Sequence, residues 1–243
     1  MIKTFEAELI HKEEVAPNIF FLKYKRPLNI DFEYQAGQYM IFHIFSNDSK
    51  NSVRRLYSIA SSPSNKYSLD FIIELVSDGV GSGYFKKSQL GDKITLQGPA
   101  GLFTLKKSED LKTIFMATGT GIAPILSMLY EKLHSHNKSE TVLFWGIKKL
   151  SDVYLIAQLN ELSVKFPNFH YQICLSRETN ELNNPFIKGH VGDGLSQYLQ
   201  KHSTNIKDYK FYLCGSKNAV DSIKSDLVSQ GALSESIYFE KFT

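Results

Sequence analysis

Three stretches of this sequence have the residue types and spacing to hold phosphate. The first reads Ala117-Thr118-Gly119-Thr120-Gly121-Ile122-Ala123-Pro124 and stands between an apolar run and a helical pattern. Gly119 and Gly121 carry no side chain, so a pyrophosphate can approach the backbone there. Pro124 suits the first turn of a helix, where its missing N–H is not needed. The helix N-terminus would add oriented N–H donors and the positive end of a dipole. Gly-x-Gly alone is a weak signal, and the third glycine of the usual dinucleotide fingerprint is absent. The loop therefore also reads as an ordinary strand-to-helix turn. The second stretch is Arg54-Arg55-Leu56-Tyr57-Ser58-Ile59-Ala60-Ser61. As a strand it puts Arg55 and Tyr57 on one face and Leu56 and Ser58 on the other. A guanidinium matches a diphosphate bidentately, and a tyrosine two residues on can lay its ring against a flat cofactor. The competing reading is a surface strand with a solvated arginine pair. The third stretch, Gly79-Val80-Gly81-Ser82-Gly83-Tyr84-Phe85, is a glycine-rich turn opening a short helix. It forms a second phosphate cradle or a plain hairpin turn.

The elements that must position these loops differ between the two halves. Residues 1–105 alternate short apolar runs with turn residues: Phe20–Tyr24, Tyr39–Phe45, Leu69–Leu75 and Lys93–Leu96. Such spacing predicts a small antiparallel barrel or sandwich, with one short helix around Gly83–Leu90. The rhythm changes at a charged linker, Lys106–Asp110. Buried-strand runs then follow at Ile114–Ala117, Val142–Trp145, Tyr171–Leu175, Phe211–Cys214 and Ile237–Phe239. Helical patterns lie between them at Ala123–His134, Ser151–Lys165, Leu195–Lys201 and Ala219–Ser229. This alternation predicts a parallel sheet with helices on both faces, which binds ligands at the carboxyl ends of its strands. The expected domains are 1–105 and 106–243.

Composition excludes several classes. Of the 243 residues, 42% are hydrophobic and 22% charged, as in a globular chain rather than a disordered one. The net charge of +3 is too balanced to indicate a nucleic-acid binder. The two cysteines, Cys174 and Cys214, are too few for a disulfide framework, a four-cysteine zinc site or a cysteine-ligated iron–sulfur cluster. The seven histidines show no metal-ligand spacing, and His190 reads as structural. No apolar run approaches the roughly 20 residues that span a bilayer. The N-terminus has no signal-peptide character, so a cytoplasmic location with reduced thiols is expected.

Taken in order, Arg55-x-Tyr57-Ser58, Gly79-x-x-Ser82, Gly98-Pro99-x-Gly101, Gly119-Thr120-Gly121-Ile122-Ala123-Pro124, Cys214-Gly215 and Glu240-x-Phe242 resemble the ferredoxin–NADP(+) reductase superfamily. The resemblance covers essentially the whole chain. It implies an FAD-binding antiparallel barrel followed by a nicotinamide-binding α/β domain. The FAD-side residues it implies are Arg55, Leu56, Tyr57 and Ser58, with Gly79, Gly81 and Ser82. Tyr57 would stack on the isoalloxazine, Ser58 would approach flavin N5, and Arg55 would pair with the pyrophosphate. On the nucleotide side it implies Thr118, Gly119, Thr120, Gly121 and Pro124 for the pyrophosphate, with Cys214 and Gly215 near the nicotinamide. Phe242 would cover the other flavin face, and Glu240 has the spacing of a carboxylate that assists proton traffic. Ser58, Cys214 and Glu240 are thus the catalytic candidates, although neither Ser58 nor Cys214 need be a nucleophile. The bland reading of Cys214 is a small buried residue at a strand end, and Cys174 reads as core.

In the ferredoxin–NADP(+) reductases proper, a Ser-Arg pair after the third sheet strand holds the 2′-phosphate of NADPH. Ser176-Arg177 stands at that place here, with Lys148 or Lys217 available to add charge. NADPH is therefore the expected donor, while some NADH-using relatives also carry serine or arginine there. Gly189-His190-Val191-Gly192-Asp193 also resembles the reductase components of oxygenase systems. With no cysteine set for an iron–sulfur centre, electrons are expected to pass to a separate one-electron acceptor such as ferredoxin or flavodoxin. An acidic carrier would dock on a basic rim, for which Arg54, Lys86, Lys87 and Lys241 are candidates. The alternatives are an NADH-dependent oxygenase reductase, a free-flavin reductase, and a non-catalytic electron-relay subunit. A monomer is expected.

Overall fold

The structure, a computed structural model, describes residues 2–27, 30–45, 52–106, 112–135, 138–179, 183 and 185–242. The linker residues Lys107–Asp110 lie outside the described residues. The chain divides into two compact units: residues 1–105 together with Leu126–Glu131, and residues 106–125 together with 132–243.

The first unit is built on an antiparallel six-stranded sheet. Its strands are β1 (Lys3–Ala16), β2 (Ile19–Lys25), β3 (Tyr39–Phe45), β4 (Ser52–Ser58), β5 (Ser68–Glu74) and β6 (Lys93–Ala100), in the order β4-β3-β6-β1-β2-β5. Alternation in these strands sends one face inward. Met40, Phe42 and Ile44 of β3 meet Leu69, Phe71 and Ile73 of β5 and Leu22 and Tyr24 of β2 in a single core. Beyond β4 the Ala60 N–H donates to the Asp70 carbonyl at 2.8 Å, which draws the two edge strands together. Helix α1 (Val80–Lys87) lies N-terminal to the stretch expected from the sequence. Phe85 anchors it, buried edge-on against Phe42 with ring centroids 5.7 Å apart. Lys12 caps its C-terminal end by donating to the carbonyls of Lys86 and Ser88.

The second unit is a parallel sheet of β7 (Lys112–Thr118), β8 (Thr141–Ile147), β9 (Phe169–Leu175), β10 (Phe186–Lys188), β11 (Tyr209–Ser216) and β12 (Ile237–Phe242), in the order β10-β9-β8-β7-β11-β12. Its connecting helices are α2 (Ile122–His134), α3 (Ile156–Lys165), α4 (Val191–His202) and α5 (Lys217–Ser229). On one face Ile114, Met116, Phe144, Phe211 and Leu213 pack with Leu195 of α4 and Val220, Ile223 and Leu227 of α5. The other face carries the residues of opposite parity, including Trp145 and Tyr171. There the Tyr171 hydroxyl donates to Asn160 of α3 at 2.6 Å. Helix α3 starts later than the apolar pattern suggested, because Leu155 takes a left-handed φ of 63° just before it.

The order of the strands fixes where a ligand can bind. From β7 the chain moves outward through β8, β9 and β10, then returns to the other side of β7 for β11 and β12. The direction of winding therefore reverses between β7 and β11, and the crevice beyond their carboxyl ends is where an open α/β sheet takes ligands.

Candidate functional site

In the first unit, β4 brings its predicted residues onto one surface. Arg55 pairs in register with Phe42, and Tyr57 with Met40. Arg55 is exposed, its guanidinium donating to the Arg54 carbonyl at 2.9 Å. The Tyr57 ring is held edge-on by Phe42 and Phe85, at 5.0 and 5.3 Å between centroids. Burial pushes the Tyr57 phenol up to about 12 against the opposing charge of Arg55, so it stays a protonated donor at neutral pH. Gly81 of α1 completes the group. A Cβ there would strike the Tyr57 hydroxyl at 2.6 Å and meet Arg55 Cγ at 3.5 Å. The first turn of α1, Arg55 and Tyr57 thus share one small surface, as a diphosphate next to a flat ring would need. Gly79 is the N-cap of α1. The Ser82 hydroxyl accepts the Val76 N–H at 2.8 Å, which closes the turn and leaves its own proton free to donate. Leu56 is exposed and Ser58 buried, on the face opposite Arg55 and Tyr57.

The backbone just after β4 is held by a buried polar network that sequence reasoning missed. The Ser61 carbonyl accepts from the hydroxyls of Ser127, at 2.6 Å, and Tyr34, at 3.1 Å. Arg26, only 5% exposed, donates to the carbonyls of Phe32, Pro63 and Asn65.

In the second unit the predicted nucleotide residues lie along the carboxyl edge of one sheet. Thr118 ends β7, Gly119–Gly121 form a single 3₁₀ turn, and Pro124 is buried in the first turn of α2. Gly119 has a φ of +54°, and a Cβ there would meet nothing within 4 Å. Gly121 is the reverse: a Cβ would land on the Cys214 carbonyl at the end of β11. At Gly215, with φ +157°, a Cβ would land just as closely on the Thr118 hydroxyl. Glycines at 119, 121 and 215 therefore let the β7 loop and the β11 end touch while leaving the Gly119 backbone open to a ligand.

Cys214 is fully buried in register with Ala117 of β7 and Glu240 of β12. Burial, then the charge of Glu240, hold its thiol well above the ordinary range, so it remains a neutral thiol. Glu240 and Phe242 are half-buried on β12. Ser176 and Arg177 are exposed just beyond β9, held by their backbone N–H groups to the carbonyls of Ile147 and Lys148. His190 is the N-cap of α4, and Cys174 is core. Lys241 is not a free rim charge: its ammonium pairs with Asp221 at 2.5 Å and lies over the Phe239 ring. Among the described residues no group of three or more His, Cys, Asp or Glu is placed to hold a metal, and no helix is long and apolar enough to cross a membrane.

Residues 6–105 match the family model for an oxidoreductase FAD-binding domain, and residues 115–225 that for an oxidoreductase NAD-binding domain. The chain belongs to the ferredoxin–NADP(+) reductase superfamily. This superfamily member is an oxidoreductase with an FAD-binding and a nicotinamide-nucleotide-binding domain. It is 25% identical over 240 residues to the terephthalate 1,2-dioxygenase reductase component 1 of a Comamonas species. It is 27% identical over 243 residues to the propane 2-monooxygenase reductase component of Mycolicibacterium goodii. The alignments cover 99% and 100% of this chain and 68% of each relative. Among solved structures, a ferredoxin–NADP(+) reductase from Neisseria gonorrhoeae with bound FAD and NADP has the same fold. The TM-score is 0.84 at 21% identity, covering 98% of both chains.

Proposed function

We propose that this protein oxidises NADPH through FAD and passes single electrons to a separate acceptor protein, with residues 1–105 holding FAD and 106–243 the nucleotide. The observation that carries the reading is the meeting of Gly119–Gly121 with Cys214 and Gly215 at the switch point between β7 and β11. FAD, when bound, supplies the conversion between a two-electron donor and one-electron acceptors. The chain supplies positioning. Arg55 and the first turn of α1 would hold the FAD diphosphate, with Gly79, Gly81 and Ser82 allowing the close approach. Tyr57, locked edge-on by two phenylalanines, would present its ring to the isoalloxazine, with the backbone of Leu56 and Ser58 bordering it. Thr118, Gly119, Thr120, Gly121 and Pro124 would take the nucleotide pyrophosphate, and Cys214 and Gly215 would border the nicotinamide. Phe242 would cover the flavin's second face, and Glu240 would hold a proton near it.

The preference for NADPH rests on the loop after β9. In nucleotide sites an acidic residue favours NADH by accepting from the ribose 2′-hydroxyl. Among the described residues of this loop Glu178 is the acid, and its carboxylate accepts the N–H groups of Leu150, at 3.2 Å, and Thr179, at 3.0 Å. Ser176 and Arg177 are exposed, and a hydroxyl beside a guanidinium suits a 2′-phosphate.

The acceptor is proposed to be ferredoxin, flavodoxin or another one-electron carrier. Arg54, Lys86 and Lys87 remain exposed for docking. A second reading is an NADH-dependent oxygenase reductase component; the relatives above, reductase components of a dioxygenase and a monooxygenase, favour its oxygenase part. Two buried, unbridged thiols suit a reducing cytoplasm. Anaerobic stopped-flow reduction of the purified yellow protein with NADPH and NADH in parallel decides between the readings. Faster bleaching by NADPH is expected; faster bleaching by NADH supports the second reading, and none with either overturns both.

A further inference from the structure

The only tryptophan of the chain, Trp145, is fully buried on β8, in register with Ala117 of β7. Its indole Nε1–H donates to the Gly119 carbonyl at 3.0 Å. That same carbonyl accepts the Ile122 N–H within the 3₁₀ turn. The peptide between Gly119 and Thr120 is trans. In a trans peptide the C=O and the following N–H point in opposite directions. Holding the Gly119 carbonyl on Trp145 therefore turns the Thr120 N–H away from Trp145, and a Cβ at Gly119 would find only open space. A glycine with a φ of +54° has little intrinsic resistance to rotating that peptide, so the orientation needs an external hold. Tyr154 braces the indole in turn, edge-on with ring centroids 4.7 Å apart.

We propose that Trp145 is a positioning residue for the nicotinamide nucleotide: its indole N–H fixes the Gly119–Thr120 peptide so that the Thr120 N–H waits in donating position for the pyrophosphate. The proposal rests on the reading above in which this loop receives that group. It assigns the tryptophan to binding rather than to the chemical step, and it makes the loop pre-organised rather than formed by the ligand.

Trp145→Phe keeps a ring and removes the donor. Its KM for NADPH and its Kd for NADP(+) should rise about five- to tenfold, the effect of one neutral hydrogen bond. kcat should change much less. Unchanged nucleotide affinity in a folded, FAD-loaded Trp145→Phe protein overturns the proposal. Should that variant not fold, the wild-type protein still tests it. With ¹⁵N-tryptophan the chain gives one indole N–H resonance, expected to exchange slowly with D2O and more slowly still with NADP(+). Exchange as fast as that of an exposed indole, or a rate untouched by saturating NADP(+), overturns it. Thr120→Asp separates the two layers of argument by placing a carboxylate where the phosphate would lie. Normal NADP(+) binding by Thr120→Asp removes the reading of the loop and the proposal with it. Lost binding there, with normal binding by Trp145→Phe, removes the proposal alone.

Discussion

Alanine at Gly121 and alanine at Gly119 should damage the protein in opposite ways, although the two glycines share one turn. At Gly121 the added methyl group would collide with the Cys214 carbonyl and the Gly215 nitrogen, all closer than 3.0 Å. These are backbone atoms, so no side chain can swing aside, and the loop must lift from the end of β11. Overpacking of this kind costs about 1–3 kcal/mol. At Gly119 the methyl meets nothing within 4 Å. Its only penalty is the left-handed φ of +54°, about 1–2 kcal/mol for a residue with a Cβ. That methyl, however, projects onto the open side where the pyrophosphate would lie. For a chain of this size each kcal/mol is worth about 2–4 °C of melting temperature. Gly121→Ala should therefore lower the transition of the nucleotide unit by up to about 12 °C, since each kcal/mol moves it by a few degrees. Gly119→Ala should lower it less, yet raise the KM for the nucleotide at least as much. The assay is differential scanning calorimetry of the FAD-loaded proteins beside NADPH saturation kinetics. A Gly119→Ala protein that is less stable than Gly121→Ala and binds nucleotide normally would refute the reasoning, because the open side would then not be the ligand side.

Arg177→Ala should raise the KM for NADPH far more than that for NADH; equal changes in steady-state kinetics would remove the 2′-phosphate assignment. Arg55→Ala should weaken FAD binding, and the loss should shrink at high salt because screening already weakens a guanidinium–diphosphate contact, as flavin-release titrations at two ionic strengths would show. Glu140 is held below the usual carboxylate range because the hydrogen bonds from Tyr198, Lys112 and Tyr209 outweigh the opposing effect of burial. Its stabilisation is therefore present above the unfolded pKa, near 4.5, and lost as the pH falls through the lower folded value. Glu140→Gln should cost about 1–3 kcal/mol at neutral pH and flatten the acid limb of a denaturation series. Burial, then the charge of Asp193, pushes the Cys174 thiol up to about 12, and Cys214 is likewise raised. Iodoacetamide at pH 8 should leave both thiols of the native protein unmodified, as mass spectrometry would report.

The strands were legible where the apolar runs are short and uninterrupted, as at Tyr39–Phe45 and Phe211–Cys214. The longest one was not. β1 carries His11-Lys12-Glu13-Glu14 in its second half, where no apolar run marks a strand. It is a strand because one end pairs with β6 and the other with β2, a fact held in those partners and not in its own pattern. Helix α1 was misplaced for a similar reason. Val80-Gly81-Ser82-Gly83 is a poor helix former, and Phe85 in the barrel core and Lys12 at the C-terminal end supply what local propensity lacks. Lys241 reads as a solvated charge until Asp221 of α5 is found beside it. Arg26 is bound by carbonyls of Pro63 and Asn65, and no spacing rule links an arginine to backbone that far along the chain.

The nucleotide-side candidates were easier to find than the network around Ser61, and the sheet explains the difference. In a parallel sheet every crossover returns the chain to the same edge. Thr118, Ser176, Cys214 and Glu240 stand far apart in sequence, yet each closes or directly follows an apolar run, and each lies at a strand's carboxyl end. A reader who finds the runs finds the edge. Side chains that act by holding backbone leave no such trace. Ser127 and Tyr34 reach the Ser61 carbonyl, and Trp145 reaches that of Gly119, through hydrogen bonds whose acceptors have no residue identity. A carbonyl is the same group at every position, so sequence can show the donor without showing what it holds. The loops proposed to touch ligand are thus written in the sequence, and the groups that keep those loops in shape must be found in the fold.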